Sequence, residues 1–454
     1  STFIIDHDSP LLQIQRDKPF NNIMFRGTND AIDNDITTTG NVYFTGTDFP
    51  STNSQNWTIG GDLILTTGSE LDGQSSDFYV AGDFVASGGI IGDSAFDFDG
   101  ASGVINCGSD SSLDNIFAGG GTVEVWINVD GDGETGSGRI FDKNWDLRTF
   151  GHSGDTVKIE FSQFFASGKY QFQTGAVLTT GKWHHVAMTY NNADPANRAT
   201  LYVDGKSVPL TTTVDTGSGA ATDDSSSDLL IGNRAADDKT LEGRIGMVRI
   251  FDDIRTAAEL RADMFSSSFS DSTCDVTGGG ENTVTCDANT NIKVGQEVHG
   301  DSDTVFIPAA TTVASITEAG GTGTGVTSFE LSGSGSTETH TNTTLKFNRM
   351  ANVGNLVLFY QFDEGTGTYV KDRAQGPSTV RGTITAGSSA WAGRGNFHEE
   401  TSTVFMNASY GTQNIKFISG IWFNNLYIEN GSTTNLYTIG TTGGNTNHKG
   451  DLVV

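Results

Sequence analysis

The stretch "GKWHHVAMTYNNADPANRATLYVDGKSV" (residues 181–208) decides the fold class of the middle of the chain. Aromatic, β-branched and small residues follow one another from Trp183 onward, which is typical of a strand. Because successive side chains of a strand face opposite ways, His184 shares a face with Val186, and His185 faces the other way. Adjacent histidines therefore cannot chelate one metal ion without a third element. The pattern favours a packing role for both over a ligand or catalytic role.

The second half of this stretch predicts a tight hairpin. Asp204 and Gly205 directly follow the strand-like "LYV", and an Asp-Gly pair is a strong two-residue turn signal. The strand is therefore expected to double straight back. The result is two strands, a polar loop and a hairpin, as in an antiparallel sheet.

Composition supports a β-rich chain of several domains. The 454 residues include 58 Gly, 28 Phe and only 7 Pro. Glycine supplies the turn conformations that many short strands need, and aromatic residues favour strands. A chain of this length exceeds one typical core, so several domains are expected.

Charge excludes some partners and favours others. The formal net charge is −29, and the acids are spread along the chain. Binding to a nucleic-acid backbone needs a basic stripe, so no nucleic-acid partner is expected. No run of about 18 apolar residues is present, so no membrane insertion is expected. The acidic surface fits an extracellular location and the binding of divalent cations.

Three cysteines limit disulfide formation to one intrachain pair. Of Cys107, Cys274 and Cys286, the last two are the candidate pair. A single disulfide cannot be the main source of stability in a chain of this size.

A repeat opens the chain. "GNVYF" at Gly40, "GDLIL" at Gly61 and "GDFVA" at Gly82 follow one another at a spacing of 21 residues. A glycine, a polar residue and a short strand at a fixed spacing predict a coiled β-structure in which each coil adds one strand. An ordinary antiparallel sandwich with evenly spaced strands remains the alternative.

The far end of the chain echoes this repeat. "FNNLYI" from Phe423 and "GDLVV" from Gly450 resemble "FNNIMF" from Phe20 and "GNVYF" from Gly40. Residues 1–90 and 396–454 are therefore predicted to be two segments of one β-solenoid-like scaffold, the second expected to continue past residue 454. What lies between them is an insertion or a separate bead.

Further motifs accompany the opening stretch in a fixed order. They are "FDFDG" (96–100), "TVEVWINV" (122–129), "LLIGNR" (229–234), "GRIGMVRIFDDIRTAAEL" (243–260) and "LVLFYQFDEGTG" (356–367). Together with "GKWHHVAMTY" they are similar to the laminin G-like and pentraxin-like members of the concanavalin A-like lectin/glucanase superfamily. The resemblance implies a two-sheet antiparallel jelly roll over residues 91–267 and 352–395.

A different texture separates these two parts. Residues 268–351 contain short strand-like runs between Gly and Ser turns and predict a small β-barrel inserted into the jelly roll. The expected fold class is thus all-β. It comprises a concanavalin A-like sandwich with an inserted barrel, flanked by β-solenoid-like or sandwich segments.

One glycine-rich loop is a candidate calcium site. "NVDGDGETGSG" places Asp130, Asp132 and Glu134 at alternate positions, and such loops can wrap oxygen ligands around Ca²⁺. Acidic glycine loops that are merely solvated turns are the alternative. Weaker candidates are Asp97 and Asp99 of "FDFDG" and the acids of "DDSSSD" at 223–228.

Catalysis is not expected. Glucanases of the superfamily that the chain resembles carry paired carboxylates in a Glu-x-Asp-x-x-Glu run on one strand, and the chain has no such run. The acids of "FDDIRTAAEL" indicate a short closing helix, which they would cap or solvate. No catalytic residue is therefore assigned.

Sugar recognition is the more attractive function, because exposed aromatic rings stack on pyranose faces. Trp126 and Trp183 lie within strand motifs and are predicted to be core residues. Trp145, flanked by charges in "FDKNWDLR", and Trp391 in "SSAWAGRG" are the candidates for sugar contact.

The modular order resembles the fibres and decoration proteins of tailed bacteriophages. This resemblance implies a non-enzymatic virion surface, tail fibre or decoration protein that binds host glycans and other virion subunits, with a homotrimer as the expected assembly. An extracellular bacterial adhesin or matrix filament is one alternative. A polysaccharide depolymerase is a second.

Overall fold

The structure is a computed structural model. It describes residues 2–6, 18–26, 32, 34–45, 52, 54–66, 69–88, 94–266, 268–289, 292, 294, 296–300, 306–308, 311–318, 325–348, 355–362, 364–374, 380–392, and the strands given below after residue 395. These residues form strands, two 3₁₀ turns and a single α-helix, which confirms the predicted all-β class. No helix among them has the length and apolar character needed to cross a membrane.

Nine short strands open the chain. They are β1 (Thr2–Ile5), β2 (Asn22–Phe25), β3 (Ile36–Thr38), β4 (Val42–Phe44), β5 (Trp57–Ile59), β6 (Leu63–Thr66), β7 (Glu70–Asp72), β8 (Asp77–Val80) and β9 (Phe84–Gly88). β1, β2, β4, β6 and β9 form one parallel sheet, and β3, β5 and β8 form another. Each coil adds one strand to each sheet, so the segment is a β-solenoid and the antiparallel alternative is wrong.

The glycines of the 21-residue repeat make room for a ladder of side chains between coils. A Cβ on Gly61 would lie 2.2 Å from Asn41 Oδ1, and one on Gly82 would lie 2.3 Å from Asp62 Oδ1. Asn41 Oδ1 accepts a hydrogen bond from the Asp62 backbone N–H, and Asp62 Oδ1 accepts one from the Asp83 backbone N–H, both at 2.9 Å. The repeat spacing thus reflects one polar side chain per coil that bonds to the next coil.

The first part of the jelly roll follows. Its strands are β10 (Phe96–Asp99), β11 (Val104–Asn106), β12 (Gly121–Val129), β13 (Arg139–Asp142), β14 (Trp145–Ser153), β15 (Thr156–Ser167), β16 (Lys169–Thr179), β17 (Trp183–Tyr190), β18 (Thr200–Val203), β19 (Lys206–Val208), β20 (Leu210–Asp215), β21 (Ser218–Ala221), β22 (Leu230–Ile231) and β23 (Glu242–Phe251). The 3₁₀ turns are Ser111–Leu113 and Glu134–Gly136.

The helix α1 (Ala257–Asp263) closes this part of the chain. A reciprocal cap starts it: Thr256 Oγ1 accepts a hydrogen bond from the Glu259 backbone N–H, and Glu259 Oε2 accepts one from the Thr256 backbone N–H at 2.7 Å. The predicted short helix with a capping acid is therefore confirmed.

A six-stranded antiparallel sheet interrupts the jelly roll. It contains β24 (Ser268–Val276), β25 (Thr283–Asn289), β26 (Glu297–Gly300), β27 (Val313–Glu318), β28 (Val326–Leu331) and β29 (His340–Asn348). The Val298 N–H donates to the Thr311 carbonyl and the Val313 N–H donates to the Gln296 carbonyl, which joins the two ends of the sheet into a barrel. Cys274 of β24 forms a disulfide with Cys286 of β25.

Four strands complete the sandwich: β30 (Leu356–Tyr360), β31 (Tyr369–Val370), β32 (Gly382–Thr385) and β33 (Ala390–Trp391). Sheet I has the order β19-β18-β17-β12-β23-β10-β33, with β30 also paired to β23. Sheet II has the order β20-β16-β15-β14-β13-β22-β11-β32-β31, with β21 also paired to β15. Their facing surfaces share one apolar core, to which Val125, Phe161 and Val186 belong.

The solenoid resumes after the sandwich. Its later strands are β34 (Asn396–His398), β35 (Thr403–Met406), β36 (Thr412–Phe417), β37 (Trp422–Phe423), β38 (Asn425–Ile428), β39 (Thr433–Thr438), β40 (Asn447–His448) and β41 (Leu452–Val453). β34, β35 and β36 pair in parallel with β7, β8 and β9. Phe84 lies opposite Ile415, so coils distant in sequence are neighbours in one stack.

The solenoid packs against the outer face of sheet I. Met24, Tyr43, Ile64 and Val85 of the solenoid share a buried apolar cluster with sheet I and with strand β30, including Trp126, Trp183, Met247, Phe251 and Phe359. The prediction that Trp126 and Trp183 are core residues is confirmed. Their cluster lies between scaffold and sandwich, however, and not between the two sheets.

Candidate functional site

The outer face of sheet II, which points away from the core between the two sheets, includes exposed side chains. Directly opposite residues in neighbouring strands project to the same face, so the register traces a transverse row across the sheet. The members of this polar row are Tyr369, Thr383, Asn106, Leu230, Asp142, Asp146, Ser162, Gln171 and Val214.

The polar row points away from the core. Its chain neighbours Phe141, Leu147 and Phe161 belong to the apolar cluster between the sheets, and side chains alternate along each strand. With strands about 4.8 Å apart, nine strands give the row a length of about 40 Å. The row is therefore long enough for several units of a chain-like ligand.

Arginines connect the acids on this face. Arg139 Nε lies 2.8 Å from Asp142 Oδ2, and Arg139 Nη1 lies 3.8 Å from Asp146 Oδ1. Arg148 Nη1 lies 3.1 Å from Asp146 Oδ1 and also pairs with Glu160. Each acid thus contacts at least one guanidinium, and the side chains of this face are held in place by their neighbours.

Burial perturbs the acids of the row. It raises the pKa of Asp142 to about 6, although the hydrogen bond and charge of Arg139 act in the opposite direction. Burial also raises the pKa of Asp146, against the charges of Arg139 and Arg148. Asp142 and Asp146 are opposite each other on β13 and β14, so each also disfavours ionisation of the other.

Two loops turn the middle of the polar row into a cleft of about 650 Å³. Residues 223–229 precede β22 and residues 232–241 follow it. The groups that line the cleft include Asn106, Asp142, Asp228, Arg234, Asp237 and Thr385. Asn106 Nδ2 donates to Asp228 Oδ2 at 2.8 Å, and Arg234 forms a two-pronged pair with Asp238. Carboxylates, amides and hydroxyls of this kind bond well to sugar hydroxyls.

The three acids of the predicted calcium loop have separate partners. Asp130 pairs with Arg244 at 3.3 Å, and Asp132 Oδ2 accepts a hydrogen bond from the His152 backbone N–H at 2.9 Å. Glu134 Oε2 accepts from both the backbone N–H and the hydroxyl of Thr240. These carboxylates do not converge within 4.8 Å. Each carboxylate thus has a partner of its own outside the loop, and a calcium ion shared by the three stays a prediction.

The weaker acids of "FDFDG" are also separated. Asp97 pairs with Arg244 at 3.3 Å, so this arginine lies between Asp97 and Asp130 where a cation would have to bind. Asp99 Oδ1 accepts hydrogen bonds from the backbone N–H groups of Ala101 and Ser102. The side chains of Asp97 and Asp99 thus have distinct partners.

One tryptophan expected to contact sugar does not reach solvent. Trp145 is 2% exposed and packs edge-on against Phe117. The prediction is wrong because successive side chains of a strand face opposite ways: Asp146 faces away from the core, so its neighbour Trp145 faces into it. Trp391 is half-buried in sheet I, donates to the Gly367 carbonyl at 3.0 Å and lies outside the polar row. Its sugar contact stays a prediction.

The adjacent histidines have different partners, in agreement with a packing role. The Thr179 backbone N–H donates to His184 Nε2 at 3.0 Å, so the hydrogen of a neutral His184 is on Nδ1 and is donated to Asp204 Oδ2. His185 Nε2 lies 3.3 Å from Glu124 Oε2 in a fully buried position. Each ring thus serves a separate buried contact.

Asp204 also joins the sandwich to the solenoid. Arg26 Nη1 donates to Asp204 Oδ2 at 2.6 Å and to the Trp183 carbonyl at 3.1 Å. Burial alone would raise the pKa of Asp204, but the hydrogen bond from His184 and the charge and hydrogen bond of Arg26 outweigh it and hold the pKa well below its ordinary value.

Residues 98–261 match the Laminin_G_3 family model, described as concanavalin A-like lectin/glucanases superfamily. This part of the chain is a concanavalin A-like domain. With the strands that complete it after the barrel, we call it the lectin-like domain. No curated protein matches the chain.

Several solved structures are similar to the chain. A Bacteroides ovatus protein proposed to bind carbohydrate is 14% identical, over 65% of this chain and 58% of that one, with a TM-score of 0.33. A heptameric pentraxin from Limulus polyphemus is 15% identical, over 36% and 82%, with a TM-score of 0.26. The carbohydrate-binding module CBM40 of a Ruminococcus gnavus sialidase, bound to sialyllactose, is 12% identical, over 38% and 98%, with a TM-score of 0.27. The chain thus spans little more than half of the first of these proteins.

Sequence reasoning did not find the polar row. Asp142 and Asp146 stand in alternating stretches of ordinary strand composition, and the expected acid pattern runs along a single strand, not across two. A sign was present in "FDKNWDLR", where acids flank a short turn and would face each other in a hairpin. The remaining members come from strands whose adjacency no spacing reveals.

Proposed function

We propose that the lectin-like domain binds an extended glycan along the polar row, and that the chain displays this domain on an extracellular surface. The observation that carries the proposal is the row itself: nine side chains on one face, seven of them polar and uncharged or acidic, with a cleft at its centre. Thr383, Asn106 and Asp142 are the polar members that reach solvent in or beside this cleft. A sugar polymer presents hydroxyls at regular intervals and fits such a linear array of donors and acceptors.

The groups of the row are fixed before a ligand arrives. Asp146 is 3% exposed and held by two arginines, and Glu160 accepts hydrogen bonds from the amides of Gln171 and Gln173. Side chains that are already ordered lose little conformational entropy when they bind. This arrangement supports binding over bond cleavage, because Arg148 engages both Asp146 and Glu160.

The finer form of the proposal is a virion surface, tail fibre or decoration protein that assembles as a homotrimer. Its support is the solenoid, which continues on both sides of the lectin-like domain and so carries that domain as a lateral insertion. Several copies on one particle would raise avidity about 10²- to 10⁴-fold over a single weak site. Mass analysis of the purified protein, by light scattering, gives the subunit number; a monomer would contradict the trimer.

The binding proposal is tested by blocking the row. Thr383 is exposed in the row, so Thr383→Trp places a large side chain across it without removing a buried group. Ser207→Trp on β19 of sheet I is the matched control. On a glycan array, wild type and Ser207→Trp are expected to bind the same glycans and Thr383→Trp to lose them. Equal binding by all three would refute the row as the site.

A second candidate, hydrolysis of the bound glycan, is favoured by one observation. Asp142 and Asp146 face each other, and a pKa of about 6 would leave Asp142 partly protonated, as a general acid requires. The test is release of reducing ends from a bound polysaccharide. Release by wild type that Asp142→Asn abolishes would support this candidate, and intact polysaccharide would exclude it.

A further inference from the structure

Phe164 lies on the same outward face as the polar row. It follows Ser162 of the row by two residues on β15, while Phe161 and Phe165 point into the core. Its side chain is 40% exposed, one of four large apolar side chains so exposed in the part of the chain that the structure describes. β15 is an interior strand of sheet II, so this exposure does not come from a sheet edge.

Lys169 of β16 is the cross-strand neighbour of Phe164. The two residues are directly opposite in the register, which places their Cβ atoms about 5 Å apart on one face. No acid among the described residues lies within ion-pair distance of Lys169; Asp146 is held by Arg139 and Arg148, and Asp215 by Arg198. An aromatic ring and an ammonium group with no salt-bridge partner thus stand side by side.

We infer that Phe164 and Lys169 form a subsite beside the polar row for an anionic pyranose, a sugar that carries a carboxylate or a sulfate. This inference rests on the proposed glycan binding. The ring of Phe164 offers a flat apolar surface to one face of the sugar, and the ammonium of Lys169 reaches a charged substituent at the edge of that sugar. The net charge of −29 disfavours anions near the chain in general, so an anionic sugar needs a local positive charge, which Lys169 supplies.

The test measures binding of the full chain to three probes: polygalacturonate, dextran sulfate and uncharged dextran. We expect binding to at least one anionic polymer, and weaker binding to dextran. Phe164→Ala is expected to weaken binding of the anionic polymer about tenfold, whereas Phe164→Tyr is expected to bind it as wild type does. Lys169→Met is expected to weaken it to a similar extent and to remove most of the dependence on salt. Preference for a carboxylated or a sulfated probe identifies the substituent.

Matched controls separate the subsite from other effects. Lys158→Met removes one positive charge from β15, the strand next to that of Lys169, and Phe3→Ala removes an exposed ring on the solenoid; neither should change binding. Dextran bound as tightly as both anions, or no effect of Phe164→Ala and Lys169→Met, would overturn the inference. If Thr383→Trp still abolishes binding in that case, only the subsite fails. If Thr383→Trp also binds normally, the proposed function fails as well.

Discussion

Replacing Arg26 by methionine should loosen the contact between solenoid and lectin-like domain. Arg26 is 6% exposed, and its guanidinium donates to Asp204 at 2.6 Å, to the Trp183 carbonyl at 3.1 Å and to Asp6 at 3.1 Å. Methionine keeps much of the apolar length of the side chain and removes the charge. The buried Asp204 then loses its guanidinium partner but keeps its hydrogen bonds from His184 and from the His185 backbone N–H.

The expected loss is about 3 kcal/mol. Removing one partner of a buried ion pair costs about 3 to 5 kcal/mol. The lower end applies because Asp204 keeps two donors, and the pair with Asp6 adds little because the Asp6 side chain is 37% exposed. Arg234→Met is the matched control, since its pair with Asp238 is largely exposed and solvent screening leaves it little effect on stability.

Amide hydrogen exchange across residues 179–190 measures this loss locally, without requiring the whole chain to unfold in one step. A loss of 3 kcal/mol corresponds to exchange about a hundredfold faster in Arg26→Met. Because the pKa of Asp204 is held below its ordinary value, its contribution is present above about pH 4 and is lost as the pH falls through the folded-state value. The difference between wild type and variant should therefore shrink in strong acid. Acceleration below fivefold, or equal to that of Arg234→Met, would refute the reasoning.

Three further perturbations test the fold and the row. Gly61→Ala should destabilise the solenoid by about 2 to 4 kcal/mol through overpacking and a lost inter-coil bond, whereas Gly119→Ala, with no atom within 4 Å of the new Cβ, should not; calorimetry compares the two. The pKa of Asp142 is raised to about 6, so as the pH rises its carboxyl ionises in the unfolded chain before it does in the folded protein, and the free energy of unfolding should fall between about pH 4 and 6. In Asp142→Asn, the free energy of unfolding by urea should change less over this pH range, and a pH dependence equal to that of wild type would contradict the prediction. Joint replacement of Cys274 and Cys286 by alanine should cost the barrel about 3 kcal/mol, and a reductant should then have no further effect on its melting temperature.

Local signals in the sequence carried over well into the structure. The turn at Asp204 and Gly205 has positive φ at both residues, +51° and +71°, and Val203 lies opposite Lys206, so the predicted hairpin is confirmed. The spacing of the repeat glycines indicated coils because every coil needs, at the same position, a residue without a Cβ that leaves room for the side chain of the preceding coil. In both cases the physical cause acts between residues close in sequence or at a fixed interval.

Solvent exposure and the partners of the acids depend on more than the local sequence. The charged residues beside Trp145 suggested an exposed ring. On a strand, however, adjacent side chains face opposite ways, so a charged neighbour that faces solvent places the tryptophan on the buried face. The acids of the glycine loop suggested an ion site, but Arg244, more than 110 residues later in the chain, takes the position between Asp97 and Asp130. Both outcomes depend on strand order, which brings together residues that no local spacing relates.

The same strand order explains why binding is assigned to sheet II. A sandwich has two outer faces, and the solenoid covers that of sheet I with apolar side chains such as Tyr43 and Ile64, packed on Trp126 and Trp183. Apolar side chains on that face are stabilising only while the scaffold covers them, so it cannot also serve as a solvated sugar site. Sheet II bears the polar row, the cleft and the exposed Phe164 on its outer face. Attachment through one sheet therefore directs the other outward, and the arrangement that fixes the domain to its scaffold also presents the proposed binding surface.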